Sequence, residues 1–371
     1  MRKRRILFIT PQPPPVHGSA MVSQYIKDCK ELQEEFQCDF VNLSTSRNID
    51  EIGKKTLMKY IRFIGAYFIT FWRLLTHRYA LCYLAITCHG MGFLKDTPFV
   101  LLCKLFRRKV VIHQHNKGMS NCMDRQPYKW LLPLVYRNAK VILLSWYLYP
   151  DIEKVVKKEQ VMICPNGIPE LFEEEPQFER NNEIPQLLFL SNLIPSKGVY
   201  VLLDACKILK DKRHKFVCNF VGGESKEITR SVFENAVEER GLKGMVVYHG
   251  PKYGDKKKTF FENSDIFVFP TYDETFGLVN LEAMQYKLPI VTTNEGGIPD
   301  IVTDGVNGYI CERKDVTEFA DAIEKLITDK AKCEVFGESG YHIFKERYTL
   351  STFYKNIMNC LKNFAKKNMT I

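Results

Sequence analysis

The chain has 371 residues, 45% of them hydrophobic and 26% charged, a composition that is globular and excludes an intrinsically disordered protein. This length is comfortable for two domains. The net charge of +10 is uneven, since residues 1–160 have 26 Lys and Arg against 12 Asp and Glu, whereas residues 161–371 have 27 against 31. We therefore expect an anionic partner to meet only the first half.

The basic first half could meet nucleic acid, anionic lipid head groups or a phosphorylated substrate, or its charges could serve solubility alone. We expect no nucleic acid, because no reader motif with clustered aromatic and basic residues occurs. The 12 cysteines have no Cys-x2-Cys spacing, which argues against a zinc site and favours a reducing compartment. The basic start, residues 1–5, precedes an apolar run too short for a signal peptide. A cytoplasmic protein is therefore expected.

Strand and helix signals alternate along the whole chain. Short apolar runs predict strands at 5–10, 40–43, 80–85, 109–113, 141–144, 187–191, 216–221, 245–249, 265–270 and 288–293. Apolar residues at helical spacing predict helices at 21–32, 56–76, 98–106, 127–138, 198–210, 226–240, 255–263, 315–328, 332–346 and 351–364, with another from about 277. This alternation is typical of parallel, doubly wound α/β sheets.

A break in the alternation predicts a domain boundary. Cys164–Pro169 contains Pro and Gly, and residues 170–186 are polar and rich in Glu, Asn and Pro. We therefore predict a first domain over 1–168 and a second over 169–350. Two such domains would face each other across a cleft at the carboxyl ends of their strands.

The segment 57–75 is a membrane candidate. Its uncharged stretch, Phe63–Trp72, is shorter than the roughly 20 residues that cross a bilayer. Basic residues border that stretch, namely Lys59, Arg62 and Arg73. One face of this amphipathic helix is expected to pack on the first domain's sheet. The remaining face could lie in an anionic membrane interface, with Tyr67 and Trp72 as anchors.

The most informative segment is Glu274–Glu282, which reads Glu-Thr-Phe-Gly-Leu-Val-Asn-Leu-Glu. It lies between the predicted strand 265–270 and a helix that begins near Gly277. The start of a helix directs free N–H groups and its positive dipole end at the preceding loop, which suits a phosphate. Two carboxylates beside such an anion site suit the hydroxyls of a sugar nucleotide.

This segment, continued by Ala283-Met284, resembles the donor site of family 4 retaining glycosyltransferases with the GT-B fold. Leu-Pro-Ile-Val-Thr-Thr at 288–293 and Gly-Gly-Ile-Pro-Asp at 296–300 follow in the expected order. The resemblance implies a GT-B fold of two facing, Rossmann-like, doubly wound domains, with a C-terminal helix within 351–371 packing back on the first. It also implies a hexosyltransferase-type enzyme that takes a UDP- or GDP-sugar as donor.

The resemblance assigns roles to residues of both predicted domains. The implied catalytic residues are Glu274 at the transferred sugar's hydroxyls, Lys197 at the diphosphate, and His115 at the end of a strand, with His113 as the alternative to His115. The implied donor-binding residues are Glu282 at the ribose, Phe276, Gly277, Leu278, Asn192, Gly222, Gly223, and Gly18 in a glycine-rich loop at 15–20.

Position 192 departs from the family pattern, which has arginine there. Asparagine donates a hydrogen bond but brings no charge, so another cation compensates, turnover is slow, or the donor geometry differs. The alternative function is a GT-B-like protein that binds a nucleotide sugar with weak or no transfer. An epimerase with a dinucleotide site is set aside, because no Gly-x-Gly-x-x-Gly follows the first strand.

We therefore expect a retaining glycosyltransferase of surface polysaccharide biosynthesis, such as O-antigen, capsule or lipopolysaccharide. Its acceptor would be a glycan or a lipid-linked saccharide, and it would associate peripherally with the inner face of the cytoplasmic membrane. No metal cofactor is expected, since the chain contains no Asp-x-Asp and fixed cations could stabilise the leaving diphosphate.

Overall fold

The computed structural model describes residues 3–14, 18–46 and 56–366. The chain divides into two compact units, residues 1–167 with 350–371, and residues 168–349. Each unit contains a six-stranded parallel sheet. The predicted α/β class, with two doubly wound sheets, is confirmed.

The first sheet has the order β2-β1-β3-β4-β5-β6. Its strands are β1 Arg4–Thr10, β2 Phe36–Asn42, β3 Leu81–Leu84, β4 Val110–Gln114, β5 Lys140–Leu143 and β6 Val161–Ile163. From β1 the chain first adds β2 on one side, and it then adds β3 to β6 in succession on the other side of β1. The switch point of this sheet therefore lies between β1 and β3, and the loops that follow these strands diverge there.

Five helices of the first unit connect these strands. They are α1 Gly18–Asp28, α2 Lys30–Glu35, α3 Leu57–Thr76, α4 Gly90–Leu105 and α5 Tyr128–Tyr136. The three crossovers from β2 to β5 run in the same direction, so right-handed connections put α3, α4 and α5 on one face and α1 and α2 on the other. Rings of Phe63 and Tyr67 meet Phe99 edge-on, at centroid distances of 5.5 and 5.7 Å, which fixes α3 against α4.

The second sheet has the order β12-β11-β10-β7-β8-β9. Its strands are β7 Gln186–Leu190, β8 Val217–Val221, β9 Val246–Tyr248, β10 Ile266–Phe269, β11 Ile290–Thr293 and β12 Gly308–Cys311. Its helices are α6 Val199–Asp211, α7 Arg230–Glu239, α8 Asp255–Glu262, α9 Leu278–Gln285, α10 Ile298–Ile301, α11 Val316–Ile327 and α12 Lys330–Arg347. Here the switch point lies between β7 and β10.

The last helix, α13 Leu350–Ala365, belongs to the first unit. Its buried Phe353, Ile357 and Leu361 join the core formed by β1, α1 and α2. The Arg4 guanidinium donates to the Ala365 carbonyl over 2.9 Å. This contact places a cation at the negative end of the helix dipole.

Several boundaries differ from the prediction. The elements β6, α10 and β12 were not predicted from the sequence. The predicted helix start at Pro98 was wrong, since α4 begins at Gly90 and continues through the proline. Among the described helices, none combines the length and the apolarity that a membrane crossing requires.

Candidate active site

The second unit's candidate site lies at the carboxyl edge of its sheet, at the switch point. The loop after β7 contains Asn192 and Lys197, and the loop after β10 contains Glu274. These loops are joined by their backbones, since the Tyr272 N–H donates to the Ser196 carbonyl over 2.9 Å. Open α/β sheets bind ligands at such a point.

Lys197 and Glu274 form an ion pair, with 2.8 Å between Nζ and Oε2. The Lys197 ammonium also donates to the Asp273 carbonyl over 2.9 Å. Two of its three N–H groups are thus used within the described residues, and the third can meet a ligand. The other Glu274 oxygen, Oε1, accepts from the N–H groups of Thr275 and Phe276 at 2.9 and 3.3 Å.

These contacts keep the Glu274 carboxylate charged. Burial acts to raise the pKa of this carboxyl, but the Lys197 ammonium and the two backbone N–H groups outweigh burial and bring the pKa below its usual 4.5. An ionised carboxylate accepts hydrogen bonds without donating any. Glu274 is therefore prepared to receive hydroxyl donors.

Two glycines allow the close approach of chain segments here. Gly198 has φ +84°, and a Cβ at this position would lie 2.0 Å from the Pro270 carbonyl oxygen. Gly277 has φ +81° and immediately precedes Leu278, the first residue of α9. The first N–H groups of α9 have no acceptor within the helix, so they can meet an anion. The side chain of Phe276, which the resemblance assigned to donor binding, is buried.

Glu295 is a site residue that the sequence patterns did not reveal. It is 1% exposed, and its Oε1 accepts from the Glu274 N–H over 3.3 Å. Its Oε2 pairs with Arg313 Nη1 over 2.9 Å. At the next residue, Gly296, a Cβ would lie 2.3 Å from the Glu274 carbonyl oxygen. The loop after β11 thus supports the backbone of Glu274, and the Gly-Gly pair that follows Glu295 was the only sequence signal for it.

Asn192 supports the neighbouring glycine turn. Its Oδ1 accepts from the Gly223 N–H over 3.0 Å. At Gly222 a Cβ would lie 1.9 Å from the Ser191 carbonyl oxygen, and the Gly222 N–H donates to the Gly250 carbonyl over 3.1 Å. The carboxyl ends of β7, β8 and β9 are therefore held together at this edge, and the polar side chain at position 192 helps to hold them.

Glu282 lies on α9, about one turn beyond its start. Its Oε2 pairs with Lys257 Nζ of α8 over 2.5 Å, and both side chains remain partly exposed. The sequence patterns did not reveal this lysine. The pair leaves a carboxylate with free acceptor positions on the same helix whose first N–H groups can meet an anion.

The described residues contain one group that could hold a metal ion, namely Glu175, Glu338 and His342. The Lys287 ammonium already contacts both carboxylates, at 2.7 and 2.8 Å. Lys287 follows the carboxyl end of α9, whereas Glu274 precedes its start. This group therefore does not belong to the candidate site.

The first unit has its own pocket at its switch point, with a volume of about 420 Å³. His115, Asn116, Lys95 and Asp96 line it, together with residues 44–46. Asp96 is 3% exposed and its Oδ2 accepts from the Thr87 N–H over 3.0 Å. Carboxylate, ammonium, imidazole and hydroxyl groups in one concave site suit a saccharide.

The two candidate histidines differ in position. His115 lines the pocket, whereas His113 is fully buried beneath it, with ring centroids 4.0 Å apart. His113 Nδ1 lies 2.5 Å from the Tyr83 hydroxyl. Burial, and secondarily His115, lower the pKa of His113 well below 6.5, so His113 is neutral. Of the two, His115 is the one that lines the pocket, and both of its ring nitrogens are shielded from solvent.

Gly18, the predicted glycine of the first unit, is the exposed first residue of α1. Residues 15–17 of the predicted glycine-rich loop lie outside the described residues. The structure thus brings together Lys197, Glu274 and the start of α9 in the second unit, and it puts His115 in a pocket of the first.

Comparison with known proteins identifies the second unit. Residues 172–343 match the model of the family "Glycosyl transferases group 1". This match covers 172 of the 371 residues and takes in most of the second unit. The group 1 region contains Lys197, Glu274, Glu282 and Glu295.

Two of the similar curated proteins are named as glycosyltransferases of capsular polysaccharide and of lipopolysaccharide. The chain is 26% identical over 185 residues to the capsular polysaccharide biosynthesis glycosyltransferase CapM of Staphylococcus aureus, covering 48% of this chain and 46% of CapM. It is 25% identical over 275 residues to a lipopolysaccharide 1,2-N-acetylglucosaminetransferase of Salmonella typhimurium, covering 70% of this chain and 68% of that enzyme. The match to CapM thus spans about half of each protein.

Solved structures extend the likeness to both units. Sucrose-phosphate synthase from Thermosynechococcus elongatus superposes with a TM-score of 0.73 at 16% identity, covering 97% of this chain and 99% of that one. Anabaena Alr3699/HepE in complex with UDP gives a TM-score of 0.73 at 17% identity, covering 97% and 100%. The chain therefore has the GT-B fold that these glycosyltransferases share.

Proposed function

We propose that the protein transfers a sugar from a UDP- or GDP-sugar to a glycan or lipid-linked saccharide in surface polysaccharide biosynthesis. The observation that carries this proposal is the Lys197–Glu274 pair at the switch point, beside the start of α9. The names of CapM and of the lipopolysaccharide enzyme support the process. The neighbouring HepE structures contain UDP and UDP-glucose, which supports a nucleotide-sugar donor.

In this proposal the donor extends along α9. The first N–H groups of the helix and the third Lys197 N–H meet the diphosphate, where charge develops as the bond to the sugar breaks. Glu282 accepts from the ribose hydroxyls, and Glu274 accepts from the hydroxyls of the transferred sugar. Glu295 and Arg313 keep the Glu274 backbone in place.

Transfer would proceed with retention and without a metal. An acceptor hydroxyl forms the new bond to the anomeric carbon on the face that the diphosphate leaves. The bond between that carbon and the phosphate oxygen breaks, and the acceptor proton passes to the leaving phosphate. Lys197 is the fixed cation for this step in place of a metal ion. The first unit's pocket, with His115 and Asp96, would take the acceptor saccharide.

We also propose that α3 rests on an anionic membrane. Ten of its large apolar side chains are exposed, among them Leu57, Ile64, Phe68, Trp72 and Leu75. The exposed positions of α3 include no charged residue, because Lys59, Arg62 and Arg73 are partly buried at the borders of this face. The opposite face, with Ala66 and Thr70, is buried. A helix with one buried face and one exposed, mostly apolar face without charges suits the plane of a membrane interface.

A thermal-shift panel with UDP, GDP, ADP, CMP and dTDP tests the donor assignment. At about 100 times its dissociation constant, the matching nucleotide should add about 2.7 kcal/mol of stability and raise Tm by about 5–10 °C. Glu282→Ala should lose most of this shift, because it removes the ribose acceptor. Glu239→Ala, an exposed glutamate on α7, is the matched control and should keep the shift.

The same panel, combined with an assay of sugar transfer, separates the proposed transferase from a protein that only binds. The absence of any nucleotide shift would contradict the donor site itself. A shift without measurable transfer to lipid-linked saccharides would favour the binding protein, for which Asn192 is the motivating observation, since it brings no charge to the diphosphate.

A further inference from the structure

A second cavity of the first unit lies at the amino edge of its sheet, the edge opposite to the acceptor pocket. Its volume is about 600 Å³, and five basic side chains line it, namely Lys3, Arg4, Arg5, Arg78 and Arg108. None of the described lining residues is Asp or Glu. Such a concentration of positive charge in a concavity attracts an anion.

Part of this charge has a structural role. The Arg4 guanidinium donates to the Ala365 carbonyl over 2.9 Å and so caps α13. Arg5 Nε lies 3.4 Å from Asp39, which also accepts from the Tyr79 hydroxyl over 2.9 Å. These two arginines and this carboxylate are therefore explained by the fold.

The other three cations have no carboxylate partner among the described residues. Lys3 Nζ donates to the Gln33 carbonyl over 3.2 Å, and Arg108 Nη2 lies 3.5 Å from the His77 carbonyl oxygen. Arg108 Nε is buried without a hydrogen-bond partner in the part of the chain that the structure describes. The exposed ammonium of Lys3 and the exposed guanidinium of Arg78 can instead meet an anion in this cavity.

The cavity adjoins the apolar face of α3. Thr76, the last residue of α3, lines the cavity. Just before it, Trp72 and Leu75 are 64% and 57% exposed, and Leu105 at the end of α4 is 75% exposed. The rings of Phe71 and Phe106 meet at 5.7 Å, which joins the ends of the two helices beside the cavity. Apolar side chains thus border a basic cavity, the arrangement of a surface that binds anionic lipid.

We propose that this cavity holds the phosphate of an anionic phospholipid head group while α3 rests on the same membrane. This inference rests on the proposed membrane contact, and it assigns the amino edge a role separate from the donor site. We assign the phosphate to a lipid because the acyl chains of a membrane would contact the apolar border formed by Trp72, Leu75 and Leu105, whereas a free phosphate ion would not.

Vesicle binding of the full chain tests the proposal. Vesicles of phosphatidylcholine are compared with vesicles that contain about one third phosphatidylglycerol. Lys3→Gln with Arg78→Gln, which removes two exposed cations of the cavity, should weaken binding to the anionic vesicles by about 10- to 30-fold. Its binding to pure phosphatidylcholine should not change.

The control pair has the same loss of charge elsewhere. Lys215→Gln with Lys243→Gln removes two exposed lysines of the second unit and should change the anionic affinity by no more than about 2-fold. Phe68→Ser with Trp72→Ser should weaken binding to both kinds of vesicle, which tests the α3 contact separately. Nucleotide stabilisation of the same preparations reports on the donor site, so failure of the transferase proposal is recognised independently.

Three outcomes would overturn the head-group site. The first is an equal loss in the control pair, which indicates attraction to net charge alone. The second is wild-type binding that does not depend on phosphatidylglycerol. The third combines two results for the Lys3 and Arg78 variant. Inorganic phosphate stabilises the wild type but not this variant, yet the variant still prefers anionic vesicles. Together these results indicate a site for a small free anion.

Discussion

Lys197→Ala is expected to lower the rate of sugar transfer by about 100- to 1,000-fold, the usual effect of removing one group that stabilises developing charge. Lys197 is the one site cation of the loop after β7, because position 192 is asparagine. The loss should fall mainly on kcat, since the diphosphate charge increases in the transition state. Steady-state transfer with the nucleotide sugar identified by the thermal-shift panel measures it.

Lys212→Ala is the matched control for this variant. Lys212 is also an ion-paired lysine of the second unit, with Asp321 and Glu324 as partners, but it does not line the switch point. Its removal should change transfer by less than about 2-fold, since exposed pairs of this kind contribute little. Equal activity of wild type and Lys197→Ala would contradict the role of Lys197 at the diphosphate.

Lys197→Ala should also reverse the way in which the contribution of Glu274 to stability depends on pH. In the wild type the pKa of Glu274 lies below 4.5, so this carboxylate stabilises the fold above that pH, and the contribution is lost as pH falls through the folded pKa. Without Lys197, burial opposes the charge and raises the pKa. The variant should then be destabilised most near neutral pH and recover relative to wild type as pH falls towards about 4. Urea unfolding of both proteins across this range measures the difference, and a constant difference would contradict the coupling.

Local signals in the sequence were enough to predict ten of the twelve described strands, all except the edge strands β6 and β12. Strands buried on both faces, such as β1 and β10, appear as short apolar runs, and the helices between them show their own periodicity. The Glu274–Glu282 motif was located for the same reason, because its loop and helix are consecutive in the chain.

The supporting contacts of the site could not be predicted in this way. Glu295 reaches Glu274 from another loop, and Lys257 reaches Glu282 from another helix. The two residues of each pair are far apart in the chain, and no local sequence pattern links them. They meet only because the folded sheet brings separate loops and helices to the same edge. The same holds for Asn192, which looked like a lost arginine but accepts from Gly223 across β7 and β8.

Gly198→Ala is expected to destabilise the second unit by about 3–5 kcal/mol, through the left-handed backbone and through a clash. The new Cβ would lie 2.0 Å from the Pro270 carbonyl oxygen, and backbone rather than a flexible side chain would have to move. That movement would separate the loops after β7 and β10 and with them Lys197 and Glu274. Nucleotide stabilisation should therefore be lost together with stability.

Gly244→Ala distinguishes the clash from the backbone conformation. Gly244 has the same φ of +84°, but a Cβ there would have no neighbour within 4 Å. It should cost only about 1–2 kcal/mol, the usual penalty for a left-handed residue with a side chain. Urea unfolding should rank Gly198→Ala well below Gly244→Ala in stability, and only Gly198→Ala should lose its nucleotide response. Equal stability losses would mean that the approach of Gly198 to Pro270 does not hold the switch point together.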